Sequence, residues 1–192
     1  MTGKSHQIIG LTSGLTTYLI LSQPTYNPAT FAWVMVISSI AAILPDIDQP
    51  TAKIWNSLPF GRIMGELVNP FLEHRNLTHS IGGYVLISWL VYWLLSLAPS
   101  YWGINTQLIF ISFLVSYGSH LLADMVTVQG IPLFFPSQRM LGIPPRPFQG
   151  MRIETGGWFE NLIVFPIVNA ALIAVLIVEW PIITRILFNP PH

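Results

Sequence analysis

Thr106–Asp124 reads TQLIFISFLVSYGSHLLAD. The first part is a continuous apolar run, and a bilayer crossing needs about 20 such residues at 1.5 Å rise each. The last part carries His120 and Asp124, which are i and i+4. On a helix those two side chains project from one face, so both could grip one cation. A membrane-length helix that ends in a pair of metal-ligand types sets the question for the rest of the chain.

Four further apolar stretches surround this one, at 8–21, 29–44, 81–98 and 161–178. By length, 81–98, 106–123 and 161–178 qualify as full spans. The first two are shorter and form either a thin hairpin or a re-entrant pair. Gly10 and Gly14 form a GxxxG in the first stretch, which permits close helix packing. The expectation is an all-α protein, a multi-pass transmembrane helical bundle of about five membrane segments, in a single domain over 1–192.

Composition agrees. Only 8% of the 192 residues are charged, against about 25% in ordinary soluble proteins, and the mean hydropathy is +0.59. Eight basic residues balance eight acidic ones, so no basic excess favours nucleic acid. The absence of cysteine excludes disulfides, thiolate nucleophiles and Cys-ligated zinc. If the stretches alternate across the bilayer, every basic residue except Arg185 falls on one side, which the positive-inside rule makes cytoplasmic. The acids follow, with only Glu179 on the other side.

The polar residues collect at the cytoplasmic span ends. His6 opens the first stretch, Asp46 and Asp48 stand in LPDID at the end of the second, and His74 and His79 lie in HRNLTHS before the third. Glu160 stands in TGGWFE at the start of the fifth. Ionisable residues near membrane depth cost about 2.5–3.5 kcal/mol each on insertion scales, and less at the interface. A chain so poor in charge that gathers them at one level is expected to use them. Imidazoles and carboxylates suit zinc, manganese, iron or magnesium. The candidate metal ligands are therefore His6, Asp46, Asp48, His74, His79, His120 and Asp124. Either Asp46 or Asp48 could bridge ions or orient a histidine, although after Pro45 the two diverge unless the backbone turns there. Each residue also has a plain role open to it, such as a helix cap for Ser80 or a first-turn acid for Glu160.

Taken together, His6, LPDID at 44–48, HRxxTHS at 74–80, GxHLLxD at 118–124 and TGGxxE at 155–160 resemble the YdjM-type family of membrane-bound metal-dependent hydrolases. The resemblance runs in order along nearly the whole chain and implies a multi-pass inner-membrane hydrolase, whose site the charge distribution places on the cytoplasmic side. The motifs are more distantly similar to the zinc-dependent phospholipase C and single-strand nuclease superfamily, which would imply phosphoester cleavage. Two departures from that pattern, no N-terminal Trp and no second HxxxE pair, argue for one or two divalent ions, zinc first, rather than three.

The expected activity is thus a phospholipase-like hydrolase that uses metal-activated water. The substrate would be a phosphoester of a lipid or another membrane-associated molecule. Asp48 and Glu160 are candidate catalytic groups, Glu160 as a ligand or a general base. Arg75 and Arg152 could hold a phosphate through bidentate pairs or simply anchor the chain by snorkelling. The Pro- and Gly-rich segment 136–150 is a lid or a plain connection. A transporter, or a bundle stapled by metal without catalysis, are the alternatives. The transporter reading needs polar residues through the depth of the spans, where Asn169 and a few Ser and Thr are the main candidates.

Overall fold

A computed structural model of the chain describes residues 1–23, 26–48, 77–99, 102–137 and 139–188. The regular structure of these residues is helical, without a β-strand beyond two isolated bridges. Helix α1 spans Gly3–Leu21 and α2 spans Pro28–Ala41, followed by a 3-10 turn at Leu44–Asp48. Helix α3 spans Ile81–Ser96 and α4 spans Thr106–Met125. A long connection leads to a π-helical turn at Glu160–Val164, which runs into α5, Phe165–Val178, and then α6, Trp180–Phe188.

The helix starts follow from capping chemistry. Asn27 accepts from the Thr30 amide and Pro28 occupies the first turn of α2, where its missing N–H costs nothing. Ser80 caps α3 by accepting from Gly83 N at 3.1 Å, and Asn105 caps α4 by accepting from Leu108 N at 3.0 Å.

Helix α4 is the centre, with α1, α2 and α3 packed against it. Its inward residues Phe113, Tyr117 and Leu121 form one apolar cluster with Ala41 and Ile131. A second cluster joins Leu15, Tyr18 and Leu19 of α1 to Val34, Leu108, Ile109 and the buried Ile183 and Ile186 of α6. The GxxxG of α1 faces this junction. A Cβ on Gly10 would lie 2.4 Å from the Ala42 Cβ, and one on Gly14 would lie 1.9 Å from the Ser38 Oγ. The close approach lets the Ser116 hydroxyl of α4 donate to the Gly10 carbonyl at 2.9 Å.

Two helical runs are long and apolar enough to cross a membrane, Thr106–Met125 with 20 residues and Glu160–Val178 with 19. None of the residues 161–178 is buried, so that run offers an apolar circumference to its surroundings. The apolar stretch at 81–98 yields a shorter helix than its length suggests. Helix α3 has 16 residues and closes with Leu97 N donating to Leu94 O, just ahead of Pro99, whose ring disfavours helix in the preceding residue. Helix α2 has 14 residues. About five segments were expected; among the described residues, two reach spanning length and composition.

Candidate metal centre

The first turn of α1, the turn after α2, the approach to α3 and the end of α4 meet at one end of the bundle. Asp46, His79, His120 and Asp124 each bring a ligand atom to this point, all within 4.8 Å of one another. His120 and Asp124 arrive together because α4 sets them one turn apart. Asp46 arrives because the chain turns as a 3-10 helix at Leu44–Asp48 directly after α2, the backbone turn that the sequence left open. His79 is carried by the turn that Ser80 caps.

The separations are informative. His79 Nε2 and His120 Nε2 are 3.3 Å apart. Asp124 Oδ2 lies 3.5 Å from His79 Nε2 and 3.4 Å from His120 Nε2. Asp46 Oδ1 lies 3.7 Å from each of the two imidazole nitrogens. A tetrahedral ion with bonds of about 2.0–2.1 Å spaces its ligands about 3.3–3.4 Å apart, whereas neighbouring ligands of an octahedral ion sit at about 3.0 Å. The measured edges run at or slightly beyond the tetrahedral value.

The outer hydrogen bonds fix which nitrogens face inward. His120 Nδ1–H donates to the Ala42 carbonyl at 2.7 Å, which leaves its Nε2 lone pair toward the cluster. The Thr78 hydroxyl donates its proton to the Pro45 carbonyl at 2.8 Å. Its oxygen is then left to accept from His79 Nδ1–H at 3.3 Å, which turns the His79 Nε2 toward the cluster. The Tyr117 hydroxyl in turn holds the Thr78 carbonyl at 2.7 Å. Two imidazole Nε2 atoms and two carboxylates converge, ligand types that a cation satisfies. At Asp46, burial opposes ionisation. The His79 hydrogen bond and the neighbouring His120 and His6 rings outweigh it and hold the carboxyl below the ordinary carboxylate range.

His6 is adjacent but outside this group of four. Its ring stacks on His120 with centroids 3.7 Å apart, and its Nε2 lies 2.9 Å from Asp124 Oδ1, the oxygen that also meets the Met1 amino group. His74 and Arg75 lie outside the described residues, as does the side chain of Asp48.

Two expected site residues do other work. Glu160 is buried and takes no part in the ligand group. One of its oxygens accepts from Thr2 N at 2.7 Å, Thr2 Oγ1 at 2.8 Å and Ser5 Oγ at 2.6 Å, and the other accepts from Gly156 N at 2.8 Å. With that many donors it clamps the start of α1 to the start of the 160–178 run. Arg152 is likewise tied to the backbone. Its guanidinium is spent on backbone carbonyls, with Nε donating to Pro144 O at 2.7 Å and Nη2 to Gly142 O at 3.0 Å. Thr78 and the Ala42 carbonyl are functional partners that the sequence did not reveal. The TH step at 78–79 was the one available signal, and it does not say where the hydroxyl points.

The fold and the cluster define an α-helical membrane protein with a His/Asp group able to hold a metal ion. The chain belongs to the YdjM inner membrane protein family, whose sequence model matches residues 1–187. It is 27% identical over 164 residues to the uncharacterized protein YvsG of Bacillus subtilis (strain 168), covering 85% of this chain and 88% of that one. It is 32% identical over 129 residues to the inner membrane protein YdjM of Escherichia coli (strain K12), covering 64% of this chain and 60% of that one. The YdjM of Shigella flexneri matches to the same extent. No solved structure matches the chain.

Proposed function

We propose that the chain is a multi-pass membrane metallohydrolase that cleaves a phosphoester at the level of the lipid head groups. In this reading Asp46, His79, His120 and Asp124 hold one divalent ion, zinc ahead of manganese, iron or magnesium. The observation that carries it is the convergence of two imidazole nitrogens and two carboxylate oxygens within 4.8 Å of one another. A bound ion would supply Lewis acidity and activate water at neutral pH. The residues supply the asymmetry. The side chains of His120 and His79 are 0% and 8% exposed and form the closed back of the site, whereas Asp46 and Asp124 are 21% and 14% exposed and form its open side. Asp46 has the longest separations, so its corner is the one at which a water or a phosphate oxygen gains room. Lys4, Arg139, Arg146 and Arg152 flank the segments that form this end of the bundle, which supports a cytoplasmic site.

The test is metal analysis of the purified wild type beside His120→Ala and Asp124→Ala, with hydrolysis of a short-chain phospholipid followed before and after chelation. One ion in the wild type, none in the variants, and activity lost to chelator and restored by zinc are expected. Equal metal in all three proteins would overturn the metal centre. A second reading, a metal staple without catalysis, is favoured by one observation: four protein ligand types already meet at one point, the number that structural zinc sites use. Stoichiometric metal with no hydrolysis would select it.

A further inference from the structure

The connection between α4 and Glu160 is well tied. Ile131 and Leu141 exchange backbone hydrogen bonds of 2.8 Å in both directions. Ile143 N donates to Met125 O at 2.7 Å, and Ile153 N donates to Val126 O at 3.0 Å, so both limbs return to the end of α4. Arg152 fastens the fold from within through the Pro144 and Gly142 carbonyls. Residues 139–150 are thereby held as a built structure.

It encloses a cleft of about 380 Å³, lined by Arg139, Met140, Gly142, Pro145, Arg146 and Arg152 among others. Among the described residues no acidic side chain lines it. Arg139 and Arg146 are exposed and make no hydrogen bond or ion pair among the described residues. In a chain with only 8 basic residues, three arginines line one cleft. Like charges so placed repel unless an anion lies between them, and guanidinium geometry matches phosphate oxygens. Close in sequence to the lining residues Gly142, Arg146 and Arg152, the apolar Ile143, Phe148 and Met151 are 55%, 59% and 76% exposed. Exposed apolar side chains on the same connection as a basic cleft suit a ligand that is charged at one end and apolar at the other.

We propose that this cleft binds the phosphate of an anionic phospholipid, with Arg139 and Arg146 on its oxygens and Ile143, Phe148 and Met151 against its acyl chains. Arg152 supplies the fixed charge of the floor while keeping its carbonyl bonds. The cleft shares no residue with the metal ligands, so it stands whether or not a metal binds at the other site.

The experiment uses the full chain in detergent, with short-chain phosphatidylglycerol, short-chain phosphatidylcholine and inorganic phosphate as probes. The wild type is expected to prefer phosphatidylglycerol over phosphatidylcholine, with inorganic phosphate failing to displace it. The double variant Arg139→Gln, Arg146→Gln should bind phosphatidylglycerol about thirtyfold more weakly, since each arginine near anionic lipid is worth about fivefold. Both side chains are exposed, so the double variant should keep the wild-type unfolding midpoint. The variant Ile143→Ser, Phe148→Ser should weaken lipid binding with both arginines in place. Equal retention of the two lipids by the wild type would overturn the proposal, as would unchanged affinity in the arginine variant. Full displacement by an equal concentration of inorganic phosphate would assign the cleft to a free anion and overturn the lipid.

Discussion

A histidine offers a metal only the ring nitrogen that carries no proton, so the partner of the other nitrogen decides whether the residue is a ligand at all. At His120 that partner is the Ala42 carbonyl, and at His79 it is the Thr78 hydroxyl, whose own proton goes to Pro45. The Thr78→Val variant keeps the shape and removes the acceptor. It should weaken zinc binding by about tenfold to a hundredfold, the usual effect of losing an orienting partner, while Thr78→Ser should bind nearly as wild type. Zinc titration followed by calorimetry distinguishes them. His79 was legible in HRNLTHS as a ligand type, but the role of Thr78 was not, because it depends on a carbonyl 33 positions away in sequence. Glu160 and Arg152 teach the same point in reverse. Each has the chemistry of a catalytic group, and each is spent on backbone and hydroxyl partners that only folding brings near.

Helices here are placed by how closely their backbones can approach. Gly14 of α1 faces both Ser38 of α2 and Ser116 of α4, and a Cβ there would fall 1.9 Å and 2.8 Å from their hydroxyl oxygens. The Gly14→Val variant must push α1 away from both neighbours, at a cost of about 1–3 kcal/mol for overpacking. A lower thermal unfolding midpoint in detergent is expected, with Gly3→Ala, whose Cβ meets nothing within 4 Å, unchanged as the control. The shift matters for the site, because α1 carries His6 against His120 and Ser5 against Glu160, which Thr2 just ahead of the helix also meets. The GxxxG was visible in the sequence, although glycine is frequent in membrane helices and the pattern did not say which neighbours it met. The end of α3 shows the limit of hydropathy alone: the apolar run continues to Ala98, but the chain turns at Leu97 ahead of Pro99.

At the scale of the molecule, the ligand group joins three segments far apart in the chain: the turn after α2, the approach to α3 and the end of α4. An ion bound only by the folded state adds about 2.7 kcal/mol of stability when present at a hundredfold over its dissociation constant. Chelation should therefore lower the unfolding midpoint of the wild type and leave that of His120→Ala unmoved, as read by thermal denaturation in detergent. A chelator effect of the same size on both proteins would place the stabilising ion elsewhere. The sequence by itself determined the helical class, the membrane setting and the stock of ligand types, because each rests on local composition and on the i, i+4 geometry of a single helix. The tertiary structure alone decided which of the candidates meet, which nitrogen each histidine presents, and that Glu160 and Arg152 act as ties. Those outcomes depend on hydrogen bonds between residues distant in sequence, and no local pattern encodes them.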